Sequence, residues 1–276
     1  MNQTERDQKA YALAKDYLLH LNVAGITSDL LDKYLRLSEI NQRPNSLPEI
    51  YKRILQSAQN ANMKAGVVGG AIGGVDKLGV VLCDFQPSEV LAKFTAGWEQ
   101  VLDEIEGRLK PTGKIRRTSR SIWPHYCQTI LSAAQFMAQF PTAGEFYQWV
   151  DFFDHDDRAR AALPLLLDRE IDGFGFALAC DFLKELGYIN FAKPDVHLRD
   201  IFVGLKLCSE RADDHEVFKA VVRVAKNADV TPYNADKLFW LVGSGYFYDD
   251  EHIGEKGRIG SRKSDFIAYA QGQLGL

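Results

Sequence analysis

Residues 161–203 hold the most informative pattern of the chain, AALPLLLDREIDGFGFALACDFLKELGYINFAKPDVHLRDIFV. The spacing of apolar residues predicts a helix that ends near Arg169 and a second helix over about 176–186. Gly173 and Gly175 lie between them and indicate a tight hairpin, because glycine enters turns at little steric cost. The stretch therefore predicts two helices joined by a glycine hairpin.

The start of the second helix is a candidate anion site. Backbone N–H groups at a helix N-terminus have no partner inside the helix, and the helix dipole favours negative charge there. Asp195 follows twenty residues after Gly175, directly after Pro194 and at the start of another predicted helix. A carboxylate at such a place is an ordinary N-cap. It is also suited to stabilise a developing positive charge and to activate a water molecule, and the two roles are compatible.

These residues carry a resemblance to a known family. IDGFGFALA followed by PDVHL resembles the helix–hairpin–helix DNA glycosylase superfamily, whose hairpin reads hydrophobic-P-G-V-G-x-x-x-A. That family has a catalytic aspartate in a D-x-H context at the same remove. The resemblance covers residues 161–203 and extends more loosely to ILSAAQF (130–136), which is similar to the L-S-A-Q helix beside the family's base pocket.

Two positions depart from the family pattern. Asp172 replaces the usual hairpin proline, and Ala177 stands where bifunctional members carry the lysine nucleophile. The resemblance therefore implies a monofunctional enzyme, in which water attacks and an abasic site is left on an intact strand. The nearest alternative amine is Lys193, which shares a side of an extended segment with Asp195. A surface lysine contacting phosphate is the alternative interpretation of Lys193.

The resemblance also implies a set of site residues. Asp195 is the expected catalytic carboxylate, and His197 is interpreted as a packing or hydrogen-bonding residue rather than a base. The DNA-binding hairpin is expected to comprise Gly173, Phe174, Gly175, Phe176 and Ala177. The candidate base-pocket residues, for which core packing is the alternative, are Gln135, Trp123 and Tyr126. The backbone carbonyls implied to hold a structural Na⁺ or K⁺ are those of Arg169, Ile171 and Phe174.

A basic strip, defined as residues 108–120, reads RLKPTGKIRRTSR and carries six basic side chains and no acidic one. The whole chain has a net charge of −4, so a polyanion has to meet a local patch. Serine, threonine and glycine interleave with the cations and favour phosphate contacts, although a solvated loop is the alternative. The DNA contacts predicted in this strip are Lys114, Arg116, Arg117 and Arg120.

Composition limits the class of protein. The chain has 276 residues, of which 46% are hydrophobic and 25% charged, as in an ordinary globular protein and unlike a disordered or fibrous one. Four scattered cysteines without a C-x-x-C pair argue against a zinc knuckle, an iron–sulfur cluster or a disulfide framework. No catalytic metal or organic cofactor is predicted. We expect a cytoplasmic monomer with no membrane partner.

The expected fold is all-α, with two helical lobes, a helix–hairpin–helix motif and a DNA cleft between the lobes. Early helices are predicted over 4–22, 28–38 and 48–63, and a later one over 87–109. A glycine-rich bend, for which a nucleotide-binding loop is the alternative, is predicted to lead into a short strand at residues 79–85. The predicted segments are an N-terminal lobe (1–119), a glycosylase core (120–203) and a C-terminal helical segment packing back on the N-terminal lobe (204–276).

The predicted function is that of a DNA N-glycosylase, which flips a modified or damaged base out of double-stranded DNA and hydrolyses its glycosidic bond. Alternatives are a non-catalytic helix–hairpin–helix DNA-binding module and an enzyme that uses the same hairpin for other nucleic-acid chemistry. The sequence leaves the base open among alkylated purines, oxidised purines, damaged pyrimidines and hypermodified cytosine of phage DNA. The last substrate would make the protein a defence enzyme.

Overall fold

The computed structural model describes residues 1–36, 43–60, 67–119 and 121–276. In these ranges strand pairing is limited to isolated bridges in the 246–258 region, so the all-α prediction is confirmed. None of the described helices has the length and apolar character needed to cross a bilayer. The α-helices are α1 (Gln3–Leu19), α2 (Ser28–Leu35), α3 (Leu47–Ala58), α4 (Val67–Ile72), α5 (Pro87–Lys93), α6 (Trp98–Leu109), α7 (Ile122–Met137), α8 (Ala143–Asp154), α9 (Ala162–Glu170), α10 (Phe176–Glu185), α11 (Val196–Gly204), α12 (Asp214–Asn227), α13 (Pro232–Ser244) and α14 (Lys263–Leu274).

The chain divides into two compact units. The discontinuous unit comprises Met1–Gln42 and Leu183–Leu276, and the central unit comprises Arg43–Phe182. Compared with the predicted segments, residues 43–119 group with the central unit and residues 183–203 with the terminal helices. Packing explains this division, because α3, α5 and α6 all pack on α7, whereas α11 packs on α13. A DNA cleft between two lobes stays a prediction.

Side-chain caps fix where several helices begin. Asn2 and Asp213 each form a capping box with the glutamate three residues later, so that two backbone N–H groups are satisfied at each start. Thr27, Ser46 and Thr142 accept hydrogen bonds in the same way at the starts of α2, α3 and α8. The predicted ends of the second and third helices, at residues 38 and 63, lie outside the described residues.

The core of the central unit forms around α7. One face of this helix is buried against its neighbours, and two tyrosines, one on each helix, tie α7 to α3. The Tyr51 hydroxyl donates to the Ile130 carbonyl over 2.8 Å, and the Tyr126 hydroxyl donates to the Leu55 carbonyl over 3.0 Å. Burial raises the pKa of both phenols, so both remain protonated donors. α7 is therefore a fixed platform for the elements that pack on it.

In the discontinuous unit the N-terminal helix packs on the C-terminal helices. α1 lies against α12, α13 and α14, and the fully buried Asp7 ties α1 to α12. Its carboxylate accepts from the Arg223 guanidinium over 2.8 Å and from the Asn227 amide over 2.7 Å. α11 packs in turn on α12, α13 and α14. These contacts hold the start of α11 in a defined place within the unit.

Two local predictions are wrong. The predicted strand at residues 79–85 is absent, and its place is taken by two 3₁₀ helices, Val75–Val80 and Cys83–Phe85. The last three residues have left-handed backbone, with φ of 50°, 50° and 63°, which a strand cannot contain. The predicted helix over 87–109 is broken into α5 and α6 at Gly97, whose φ of 100° is not helical. The apolar run at residues 79–85, which had suggested a strand, is explained by burial of Val81, Leu82 and Phe85 in the core.

Candidate nucleic-acid interface and active site

The predicted hairpin is present between α9 and α10. The Phe174 N–H donates to the Ile171 carbonyl over 3.1 Å and closes the turn. The Gly175 carbonyl then accepts from the N–H groups of Leu178 and Ala179, over 2.9 and 3.1 Å, and so begins α10. Ile171 and Phe174 are fully buried and anchor the hairpin, while Gly173 is exposed. The turn therefore presents the start of α10 at the surface of the central unit.

Two hydroxyl groups of α7 hold the hairpin in place. The Thr129 hydroxyl donates to the Asp172 carbonyl over 2.6 Å, and the Asp172 N–H donates to the Ser132 hydroxyl over 2.9 Å. Thr129 and Ser132 are three residues apart and so lie on one face of α7. Sequence analysis missed this pair. The one signal in the sequence was the three-residue spacing of two hydroxyl side chains, one just before ILSAAQF and one within it. These two hydrogen bonds fix the backbone of Asp172, which directly precedes Gly173.

The two hairpin glycines differ in what they require. Gly173 has a φ of 71°, and a Cβ built on it would lie 3.1 Å from the Thr129 hydroxyl. Gly175 has no left-handed backbone, and a Cβ built on it would meet nothing within 4 Å. The fold of this chain therefore needs glycine at 173 but not at 175. Glycine at 175 leaves open space beside the first turn of α10, whose N–H groups have no acceptor within the helix.

Asp195 is the N-cap of α11 in the discontinuous unit. Its Oδ1 accepts from the N–H groups of His197 and Leu198, over 2.9 and 3.1 Å. Within the described part of the chain its Oδ2 has no hydrogen-bond partner. The side chain is half-buried, at the end of the turn made by Lys193 and Pro194. One carboxylate oxygen is thus engaged by the helix, and the other remains for a reacting group.

The surroundings of Asp195 disfavour its ionised form. Burial raises the pKa of this carboxyl, and the nearby Asp236 carboxylate raises it further. The Leu198 N–H, His197 and Lys193 act in the opposite direction, and the raising causes prevail. A carboxylate whose pKa is raised accepts a proton more readily at a given pH, which suits a general base.

His197 and Lys193 flank Asp195 with different roles. His197 packs against α13, where a Cβ added to Gly243 would lie 2.6 Å from the histidine Cβ. Its buried Nδ1 has no hydrogen-bond partner among the described residues, so the structure gives His197 a packing role. The Lys193 backbone N–H donates to the Asp236 carboxylate over 2.8 Å. This hydrogen bond fixes the backbone of Lys193 next to Asp195.

The three candidate base-pocket residues lie on α7 of the central unit. Trp123 and Tyr126 are buried, and the Tyr126 hydroxyl is used by the Leu55 carbonyl. For these two aromatics the structure shows the alternative that the sequence left open, packing in the core. Gln135 is exposed on the same helix, and its place in a base pocket stays a prediction.

The basic strip is partly neutralised by α6. The Arg117 guanidinium pairs with the carboxylates of Asp103, at 2.7 Å, and of Glu106. Lys114 and Arg116 are exposed, and among the described residues neither has a carboxylate within ion-pair distance. Arg120 lies outside the described residues. Of the four predicted DNA contacts in the strip, the two best placed to meet phosphate are therefore Lys114 and Arg116.

In the described ranges, no group of three histidine, cysteine, aspartate or glutamate side chains is placed to hold a metal ion. The implied monovalent cation would use backbone carbonyls instead. The Ile171 carbonyl accepts from the Phe174 N–H and keeps a second lone pair that a Na⁺ or K⁺ could use. The cation stays a prediction.

Comparison with known proteins gives two solved structures. The 8-oxoguanine DNA glycosylase of Methanocaldococcus jannaschii is 16% identical, with a TM-score of 0.51 over 87% of this chain and 96% of that chain. The 8-oxoguanine glycosylase/lyase of the same organism, in complex with a 15mer DNA containing 8-oxoguanine, is 16% identical, with a TM-score of 0.50 over 83% and 95%. No protein-family model and no curated protein matches the chain.

The likeness extends over most of both chains, and it is a likeness of fold. Within this fold the chain has a glycine hairpin and, twenty residues after Gly175, an aspartate that caps a helix. The fold agrees with the one implied by residues 161–203. This chain therefore shares the fold of these two 8-oxoguanine DNA glycosylases.

Proposed function

We propose that this protein is a DNA N-glycosylase that flips a modified base out of double-stranded DNA and hydrolyses its glycosidic bond. The observation that carries the proposal is that the two carboxylate oxygens of Asp195 differ in their contacts. Its Oδ1 caps α11, and its Oδ2 has no partner in the described part of the chain. The fold of the solved neighbours, which are DNA glycosylases, supports the same activity.

In the proposed reaction the bond from the sugar C1′ to the base nitrogen breaks, and the base leaves with the electron pair. The positive charge that develops on the sugar is stabilised by the Asp195 carboxylate. A water oxygen then bonds to C1′ and passes a proton to Asp195 Oδ2, while the departing base takes up a proton from solvent. The products are a free base and an abasic site on an intact strand.

DNA binding is assigned to the hairpin and the basic strip. The N–H groups at the start of α10 are suited to a phosphate oxygen, and the open space beside Gly175 lets the strand approach them. The carbonyls of Arg169, Ile171 and Phe174 would hold a cation that bridges to phosphate. Lys114 and Arg116 would supply contacts that do not depend on sequence.

The substrate is best found by mass spectrometry of bases released from a panel of DNA duplexes. The neighbours are 8-oxoguanine glycosylases, so 8-oxoguanine is the first base to test, followed by alkylated purines, damaged pyrimidines and hypermodified phage cytosine. Release of one of these bases with an abasic site supports the proposal. DNA binding without release from any duplex would identify a non-catalytic module, and strand products without a free base would identify other chemistry.

The enzyme is predicted to be monofunctional. A lyase step needs an amine that attacks C1′ to form a Schiff base. Ala177 replaces the lysine of bifunctional members, and the buried Lys184 later on α10 is ion-paired at 2.8 Å to Asp236. We therefore expect no covalent adduct when borohydride is added during turnover. An adduct that disappears in Lys193→Ala would show instead that Lys193 acts as the nucleophile.

Within the basic strip, Arg116 is predicted to contribute more to DNA affinity than Arg117. Arg116→Glu should weaken binding to all sequences alike and reduce the slope of log affinity against log salt by about 0.9, the value for one phosphate that the protein no longer neutralises. Arg117→Glu is the matched control and should change the slope less, because Asp103 and Glu106 already pair with Arg117. Binding titrations at several salt concentrations measure both slopes. An unchanged slope for Arg116→Glu would make the strip a solvated loop.

A further inference from the structure

A buried ion pair lies beside the proposed catalytic aspartate, in the discontinuous unit. The Asp236 side chain on α13 and the Lys184 side chain on α10 are buried, with relative exposures of 1% and 6% for the two residues. The Lys184 ammonium lies 2.8 Å from Asp236 Oδ2. A buried pair of this kind commonly gives no more stability than well-packed apolar residues would. Stability alone therefore does not explain its presence here.

Asp236 also holds the backbone that leads to Asp195. The same Oδ2 accepts the Lys193 N–H over 2.8 Å. The Asp195 N–H then donates back to the Lys193 carbonyl over 2.8 Å, so that residues 193–195 form one closed turn. Pro194 in the middle of this turn has a fixed φ, and it also restricts the residue before it. The turn thus has little freedom of its own and is anchored at its first residue by Asp236.

We propose that Asp236, neutralised by Lys184, is a positioning residue that holds the 193–195 turn and thereby sets where the Asp195 carboxylate lies. This inference rests on the proposed glycosylase function. Asp236 itself is excluded as the catalytic group, because its side chain is almost inaccessible and both contacts at its Oδ2 are internal. Its effect on the reaction therefore passes through Lys193 to Asp195.

The charges near Asp195 give this role a measurable signature. The Asp236 charge is the nearby charge that raises the pKa of Asp195, next to burial, while His197 and Lys193 lower it. Other charged groups on α11 are paired outward, Arg199 with Asp214 of α12 and Asp200 with Lys263 of α14. Tyr233 and Tyr248 also face Asp236, and burial is the main cause that raises the pKa of both phenols, so neither adds a charge.

The test compares two double variants that both remove the buried charges. Lys184→Met with Asp236→Asn keeps an acceptor for the Lys193 N–H, whereas Lys184→Met with Asp236→Leu removes it. We expect the Asn variant to retain kcat within a few-fold. The Leu variant should lose on the order of 10- to 100-fold in kcat, as expected when a reacting group is misplaced, with KM little changed.

The acid limb of the pH profile shows whether the Asp236 charge acts on Asp195. Base release needs ionised Asp195, so the rate falls on the acid side as Asp195 takes up its proton. Removing the Asp236 charge removes a cause that raises the pKa of Asp195, so the acid limb of the Asn variant should move to lower pH. Positioning is separated from a purely structural role by the loss of kcat at unchanged KM in the Leu variant and by its rescue in the Asn variant.

The outcomes are distinguishable from failure of the proposed function. If the wild-type protein releases no base, the glycosylase proposal fails before any variant is compared. If the wild-type protein is active, a Leu variant that melts cooperatively and keeps its kcat overturns the positioning role. If the Leu variant does not fold, Lys184→Met with Asp236→Ala, which also lacks the acceptor for the Lys193 N–H, takes its place, and an unchanged kcat in that variant overturns the inference.

Discussion

Replacing Asp195 by asparagine is expected to reduce the rate of base release by at least about 100-fold, the usual contribution of a positioned acid–base group. Asparagine cannot stabilise the positive charge on the sugar and cannot accept the proton of the attacking water. Its side-chain oxygen still accepts the N–H groups of His197 and Leu198, so α11 keeps its cap. Single-turnover release from the best duplex of the panel measures the loss.

DNA affinity and stability serve as controls for Asp195→Asn. The folded protein raises the pKa of Asp195, through burial first and Asp236 second, so it favours the neutral carboxyl. The stability from that preference is present below the unfolded pKa and is lost as the pH rises through the folded pKa. The variant should therefore melt no lower than the wild type at neutral pH, and any advantage should shrink in acid.

The result has a clear converse. If Asp195→Asn releases base at the wild-type rate while melting normally, Asp195 is only a helix cap. The hydrolytic role would then need another carboxylate, and the proposed mechanism would be wrong even though the fold is unchanged. A slow variant that also fails to bind DNA would point instead to a disturbed α11.

The features that sequence predicted best are those set by neighbouring residues. The hairpin between α9 and α10 and the cap at Asp195 depend on glycines, a proline and a short polar side chain within a few positions. The same local reasoning predicted a strand at 79–85 because it saw an apolar run. Such a run is equally compatible with buried 3₁₀ turns, and periodicity does not distinguish them.

The supports of the candidate site could not be predicted because they join distant parts of the chain. Thr129 reaches Asp172 over a separation of 43 residues, and Lys184 reaches Asp236 over 52. A single threonine such as Thr129, or a single aspartate such as Asp236, gives no sequence pattern from which its distant partner could be predicted. The burial of Tyr126 could not be predicted for the same reason, because its hydroxyl donates to the distant Leu55 carbonyl.

The hairpin glycines give the second large expected effect, because the two positions separate folding from binding. Gly175→Leu places a side chain in the open space beside the first turn of α10, where nothing in the protein opposes it. It should block the approach of a phosphate to the backbone N–H groups. Losing hydrogen bonds to a charged group costs about 1.5–3 kcal/mol, so DNA binding should weaken on the order of 10- to 100-fold.

Gly173→Ala is the matched control and should show the opposite pattern. Its φ of 71° is strained for any other residue, and the added Cβ would press on the Thr129 hydroxyl that holds the hairpin. We expect a loss of about 1 kcal/mol or more in the free energy of unfolding, whereas Gly175→Leu should leave that free energy nearly unchanged. Thermal melts and DNA titrations on both variants measure the separation. A Gly175→Leu protein that binds DNA as tightly as the wild type would remove the start of α10 from the interface, because no other property of this chain requires glycine there.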